Sequence, residues 1–199
     1  DVTEGLESYR YADAAKAIYE FAWDEFCSLY LEIVKARLGE EKQRPVVQRI
    51  LAHVLDSLLR LLHPMMPFIT EEVWQLLAKV APQRGLAKPE NAAESVMIAS
   101  WPTADLARRD TTVESRFAKY QATLKAINEI RSRQDIPTKN PIEFVLRCSE
   151  EDAALLRPMT PYFQQMTNAK AVAFGPSVDA PKPNAASSLG DMDLFVDLR

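Results

Sequence analysis

The sequence predicts a mainly α protein, an antiparallel helical bundle over residues 1–136 followed by a small mixed α/β element over 137–199. Three observations predict it. Apolar residues recur at three- and four-residue steps through most of the first 136 positions, the period of a helix with one buried face. Two such runs meet at a double-proline corner, Leu61-Leu62-His63-Pro64-Met65-Met66-Pro67-Phe68-Ile69-Thr70-Glu71-Glu72-Val73-Trp74. After Pro137 the apolar period falls to two, as in strands.

Residues 1–10 read as the tail of an earlier helix, and Asp1 in place of methionine suggests a piece of a longer protein. Asp13 is the expected N-cap of a long helix running to about Arg37, with Gly39 as its stop. Ile18, Phe21, Ala22, Phe26, Leu29 and Ile33 form one apolar stripe along it. Tyr19, Trp23, Cys27, Tyr30 and Val34 form a second, so the helix is expected to be covered on two sides. The next helix opens near Pro45, a good first-turn residue, and carries a wide apolar band from Val46 to Leu62. Arg49, His53, Asp56 and Arg60 fall on its opposite face, which reads as solvated. Pro64 ends it, because the residue before proline leaves the α region. Pro67 or Thr70 starts a third helix through Trp74 and Val80, with Met65, Met66 and Phe68 plugging the bundle end. Glu71 and Glu72 suit its N-terminal dipole.

From Pro82 to Thr103 the pattern dissolves into an irregular strap, of which Ser95–Trp101 packs across the bundle. A fourth helix spans Thr111–Arg133 with Val113, Phe117, Tyr120, Leu124, Ile127 and Ile130 inward. Ile142–Cys148 alternates as a strand, and Ser149 with Asp152 caps a short helix interrupted by Pro158 and Pro161. Ala171–Phe174 is a second strand, 175–187 a Pro- and Ala-rich loop, and Leu194–Leu198 a third strand after a turn at Gly190-Asp191.

Composition narrows the function classes. Five glycines and no GxGxxG, Walker loop or serine elbow leave no nucleotide cradle or acyl-transfer site. Two histidines, His53 on a polar helix face and His63 in a turn, and two distant cysteines, Cys27 and Cys148, without a CxxC make zinc and acid–base catalysis poor readings. Free thiols point to a reducing cytoplasm, and no apolar run is long enough to cross a membrane. The net charge of −4 is unevenly spread. Residues 1–32 hold two basic and eight acidic side chains, 33–60 six against three, and 105–139 eight against five. Local basic excess in an acidic chain suits a protein that grips RNA over a limited surface.

The run His63-Pro64-Met65-Met66-Pro67-Phe68-Ile69-Thr70-Glu71-Glu72-Val73-Trp74 resembles the HPxMPFxTEExW corner in the anticodon-binding helical domain of class I aminoacyl-tRNA synthetases. Glu25-Phe26-Cys27 and Tyr30-Leu31-Glu32 are most similar to the valine-specific members of that family. Ser28-Leu29 stands where those members have an Asp-Trp pair, so one aromatic is missing here. Glu129-Ile130-Arg131 through Pro137 and Lys139 resembles the family's IRxxR…PxK stretch. The likeness is close over 9–148 and loose beyond.

The resemblance implies a non-catalytic anticodon-recognition domain with no cofactor of its own. Its parent would use ATP, with Mg, to join valine to its tRNA through catalytic and editing domains lying N-terminal in the same cytoplasmic polypeptide. The implied partner is the anticodon region of valine tRNA, with no DNA and no membrane. Single-stranded loops are read by stacking on aromatics and bonding base edges, while Arg and Lys hold phosphates. The candidate RNA-binding residues are therefore Tyr30, Glu32, Lys35 and Arg37 on the first long helix, with Arg131 and Arg133 at the end of the fourth and Lys139 after it. Arg49 and Arg60 rank lower. A sibling synthetase domain for isoleucine or leucine, and a helical protein-interaction module, are the alternatives.

Overall fold

Long apolar helices turned by prolines build the first of two units, which ends at Asp105; the second runs Leu106–Arg199. The structure, a computed structural model, describes residues 2–199. Helix α1 (Val2–Glu7) is followed by α2 (Tyr11–Tyr19), a π-helical segment (Glu20–Tyr30) and α3 (Leu31–Gly39), the last three wound without a break. Then come α4 (Arg44–Leu62), α5 (Pro67–Val80) and the short pair β1 (Gln83–Arg84) and β2 (Glu90–Asn91). Gly5 lets α1 approach α2, since a Cβ there would meet Ala14 Cβ at 3.1 Å.

The long first helix departs from expectation in three ways. It begins at Tyr11 with Arg10 and not Asp13 at the cap. Its middle is π-wound, so side chains advance around the axis differently from the 3.6-residue period. The second stripe is consequently uncovered. Tyr19 and Trp23 are 62% and 58% exposed, Cys27 is exposed, and only Val34 of that set is buried.

Leu59, Trp74, Leu77 and Val96 form a buried core cluster, with Ala52 and Leu55 of α4, Val73 of α5 and alanines of the following segment packed around them. Asp56 lies inside this region, 4% exposed, contrary to the solvated face expected for it. Arg84 Nη1 donates to Asp56 Oδ1 at 3.0 Å, and Arg60 Nη2 donates to Oδ2. The Arg84 guanidinium also lies 3.9 Å over the Trp74 ring and donates to the Trp74 and Ala81 carbonyls. Arg60 Nη1 reaches Ser100 O at 2.8 Å, and Trp74 Nε1 donates to Ala93 O at 2.9 Å. The strap is thus tied to both helices.

The proline corner is held by side-chain hydrogen bonds, not by an apolar plug. Phe68 is 91% exposed and Met66 half exposed, because Pro67 in the first turn of α5 leaves Thr70 and Trp74 as the inward positions. Thr70 Oγ1 lies 2.8 Å from Met66 O and 2.7 Å from His63 Nδ1. A hydroxyl has one proton, so with Thr70 donating to the carbonyl, His63 Nδ1–H donates to Thr70. Glu71 does not cap α5; it accepts from Ser95 Oγ at 2.8 Å, Val96 N–H at 3.1 Å and Gln75 Nε2 at 2.7 Å. Those bonds hold its carboxyl below the usual glutamate range.

In the second unit, α6 (Thr111–Arg133) precedes β3 (Ile142–Arg147), α7 (Glu150–Leu156), α8 (Thr160–Thr167), β4 (Ala169–Gly175), β5 (Asn184–Leu189) and β6 (Met192–Asp197). Asp110 caps α6 through the Thr112 and Val113 N–H groups, and Ser149 caps α7 through Asp152 N–H. The sheet order is β4-β3-β6-β5, with β3 and β4 parallel and the others antiparallel. Part of the expected 175–187 loop is strand β5, which pairs β6 across the Gly190-Asp191 turn, Gly190 at φ +73°. Its run Asn-Ala-Ala-Ser-Ser lacks the bulky alternation that marks strands.

The division at Asp105 and Leu106 differs from the boundary expected at 136. Helix α6 belongs with the sheet, because Tyr120, Leu124, Ile127 and Ile130 are buried in that unit's core. Tyr120 meets Phe163 at 4.7 Å between ring centroids, and Phe163 meets Phe144 at 5.3 Å. Val113, expected inward, is exposed on the first turn. Lys119 bridges Asp152 of α7 and Asp191 of the hairpin turn, fastening both to α6.

Two predictions concern the first unit, which contains all three tryptophans, Trp23, Trp74 and Trp101. Arg84→Met strips Asp56 of one partner and should lower stability by about 3 kcal/mol in urea unfolding followed by tryptophan fluorescence. Arg84→Lys should recover only part of it, and a loss under ~1 kcal/mol would mean that Arg60 alone satisfies Asp56. Glu71→Gln should destabilise above pH 4.5, Glu71's ordinary value. A carboxyl with a lowered folded pKa stabilises above its unfolded value, and the benefit fades as pH falls through the folded one. The gap between wild type and variant should therefore close in acid; a constant gap would contradict the assignment.

Candidate nucleic-acid interface

The end of α3 and the turn into α4 carry four cations, Lys35, Arg37, Lys42 and Arg44, among three acids, Glu32 and the exposed Glu40 and Glu41. Lys35, Lys42 and Arg44 are exposed and Arg37 is half-buried. Cations are stabilised at a helix C-terminus, where unpaired carbonyls carry partial negative charge. Arg37 Nε donates to Gln43 Oε1 at 2.7 Å, and Arg44 Nε donates to Leu38 O at 2.8 Å, so these two guanidiniums are partly held. Lys35 pairs with Glu32 one turn earlier at 2.6 Å. Tyr30 is half-buried beside Phe26, rings 6.1 Å apart and 17° from parallel. Burial pushes its phenol up, and the charge on Arg37 pulls it partly back. Tyr30, Glu32, Lys35 and Arg37 therefore lie along one stretch of the helix. Lys42 and Arg44 follow it; the basic excess over 33–60 was the signal for them.

The π-helical segment offers a different surface. Tyr19 and Trp23 stack at 6.4 Å and 13°, but Glu20, Asp24 and Glu25 beside them are exposed acids. Phosphates are repelled there. This places the charge suited to RNA at the C-terminal half of the long helix and not at its aromatic half.

In the second unit Arg131 is a correction. It is 3% exposed, and its guanidinium donates to the carbonyls of Pro137, Asn140 and Thr167 at 2.9 Å and of Asn168 at 3.1 Å. A side chain so enclosed cannot touch RNA. The inward face of α6 brings it there, one residue after Ile130. Arg133 and Lys139 are exposed, as a contact residue must be.

No group of three or more His, Cys, Asp or Glu side chains is placed to hold a metal among the described residues. No helix among them is long and apolar enough to cross a membrane. Cys27 and Cys148 are unpaired.

The family model for the anticodon-binding domain of tRNA ligases matches residues 1–146. The chain is similar to the valine–tRNA ligase of Rhodopirellula baltica, at 43% identity over 98% of this chain and 19% of that protein. It is similar to those of Geobacter sulfurreducens, at 33% over 100% of this chain and 22% of the relative, and Thermotoga maritima, at 34% over 100% and 21%. It spans about a fifth of the length of these relatives. The family match runs over 146 of the 199 residues, and the chain belongs to the anticodon-binding domain family of tRNA ligases.

Proposed function

We propose that this chain is the anticodon-recognition part of a valine–tRNA ligase. It holds valine tRNA while ATP-dependent aminoacylation proceeds in a catalytic domain elsewhere in the same cytoplasmic polypeptide, alongside an editing domain. The observation that carries this reading is the cluster of Tyr30, Glu32, Lys35 and Arg37 at the end of a long helix, in a chain whose relatives bear the valine–tRNA ligase name.

The parts suit the task. Anticodon bases are unpaired and can be splayed against a protein. Tyr30 offers a ring already seated against Phe26, so little entropy is lost on stacking. Glu32 accepts hydrogen bonds only, which selects exposed amino and imino N–H groups on a base edge. Lys35 and Arg37 supply the phosphate contacts that set register. The Glu32–Lys35 pair opens as RNA enters, at small cost because exposed ion pairs are worth ~1 kcal/mol or less. On this reading ATP and Mg act in the parent's catalytic domain and not in this chain.

The test is binding to valine tRNA, beside the same tRNA with an altered anticodon, at low and moderate salt. The expected result is preference for the valine anticodon. Lys35→Ala/Arg37→Ala should weaken binding about tenfold, ~1.4 kcal/mol, and flatten the logarithmic salt dependence by about 1.4, ~0.7 for each lost contact. Glu32→Gln should narrow the preference between anticodons. Equal binding to both tRNAs would reduce the chain to a phosphate-holding scaffold, and no binding to either would remove the RNA reading.

A further inference from the structure

The segment between α6 and β3, residues 134–141, has no regular structure yet is held at many points. Two Arg131 donors take its Pro137 and Asn140 carbonyls. Asn168, left-handed at φ 50° after α8, donates through Nδ2 to the carbonyls of Thr138 at 3.4 Å and Lys139 at 3.1 Å. Ile136 N–H bonds Arg131 O, and Asn140 N–H bonds Pro137 O. Arg131 also takes the carbonyls of Thr167 and Asn168 that end α8.

Burying a guanidinium is costly unless it is fully paired, and this one meets carbonyl dipoles with no carboxylate. Its charge is therefore not cancelled, and it adds to the field of a loop that presents Arg133 and Lys139. Both are exposed, and neither side chain has a hydrogen-bond or ion-pair partner among the described residues. A loop backbone tied at this many points carries two unpartnered cations that outweigh the exposed Asp135, with a buried third beneath. It is preorganised for phosphates, since only the Arg133 and Lys139 side chains have freedom left to lose on binding.

Resting on the tRNA reading above, we infer that loop 134–141 is a second contact with the tRNA backbone, distinct from the α3 end. Arg133 and Lys139 touch phosphates, and Arg131 is the positioning residue that sets them. The contact carries affinity without sequence information, because phosphates are the same at every base.

A double-mutant cycle on the full chain tests this with valine tRNA and its altered-anticodon form. Arg133→Ala/Lys139→Ala should weaken both tRNAs equally, about tenfold, and reduce the salt slope by about 1.4, with the thermal midpoint unchanged. Arg131→Lys keeps the charge but loses the planar fork. It should weaken binding similarly in the wild-type background and not at all in the Arg133→Ala/Lys139→Ala background. Should Arg131→Lys fail to fold, Asn168→Gly removes the other ties while keeping the left-handed residue, and the same non-additivity is expected. Wild-type affinity and slope in Arg133→Ala/Lys139→Ala would overturn the contact while leaving anticodon recognition intact. Equal losses from Arg131→Lys in both backgrounds would overturn its positioning role. Absence of tRNA binding by the wild type would overturn both this contact and the proposed function.

Discussion

A single buried carboxylate organises the first unit. Asp56, carried inward on α4, must be matched or it would destabilise the core by several kcal/mol. Arg60, one turn along the helix, matches one oxygen and at the same time draws in the strap at Ser100. Arg84 matches the other, and to reach it the chain must turn immediately after α5 and lay the guanidinium over Trp74. The end of α5, the β1–β2 pair and the strap thus take their places from one charge. The indole of Trp74 closes the arrangement by donating to Ala93 O.

The proline corner complements this constraint at the other end of α5. Prolines dictate where α4 stops and α5 starts, but they do not fasten the two helices. The His63–Thr70 bond and the Glu71 clamp on Ser95 and Val96 do so. A scaffold fixed at both ends of α5 is the kind of rigid support on which the proposed contact at the end of α3 would lose little entropy. Binding surfaces on rigid scaffolds lose less entropy when they engage. The second unit repeats the strategy with Arg131, whose buried guanidinium fixes an exposed loop.

Much of this was legible in the sequence. The bounds of α6, the Pro45 start of α4, the Ser149 cap and the Gly190-Asp191 turn follow from local chemistry that acts within a few residues. The cations of α3 and of the turn after it were legible in the charge count over residues 33–60. What escaped has physical reasons. Asp56 and Arg84 are 28 residues apart, and no local pattern announces a pair made in three dimensions. The exposed Tyr19 and Trp23 follow from π winding, which a 3.6-residue template cannot represent. Strand β5 hides in small polar residues because its pairing with β6, not its side chains, makes it a strand. Arg131 looked like a surface cation because it sits near a helix end among other cations, and only the fold turns it inward.

The central claim is that tRNA is held at the end of α3, with loop 134–141 as a separate backbone contact. Photo-crosslinking of valine tRNA to the chain, with the joined peptides and nucleotides identified by mass spectrometry, tests it most directly. The account predicts peptides containing residues 30–44 joined to anticodon-loop nucleotides, and separate crosslinks to the tRNA through peptides containing 133–139. Crosslinks confined to the acidic aromatic surface around Tyr19 and Trp23, or none to the anticodon loop, would contradict it.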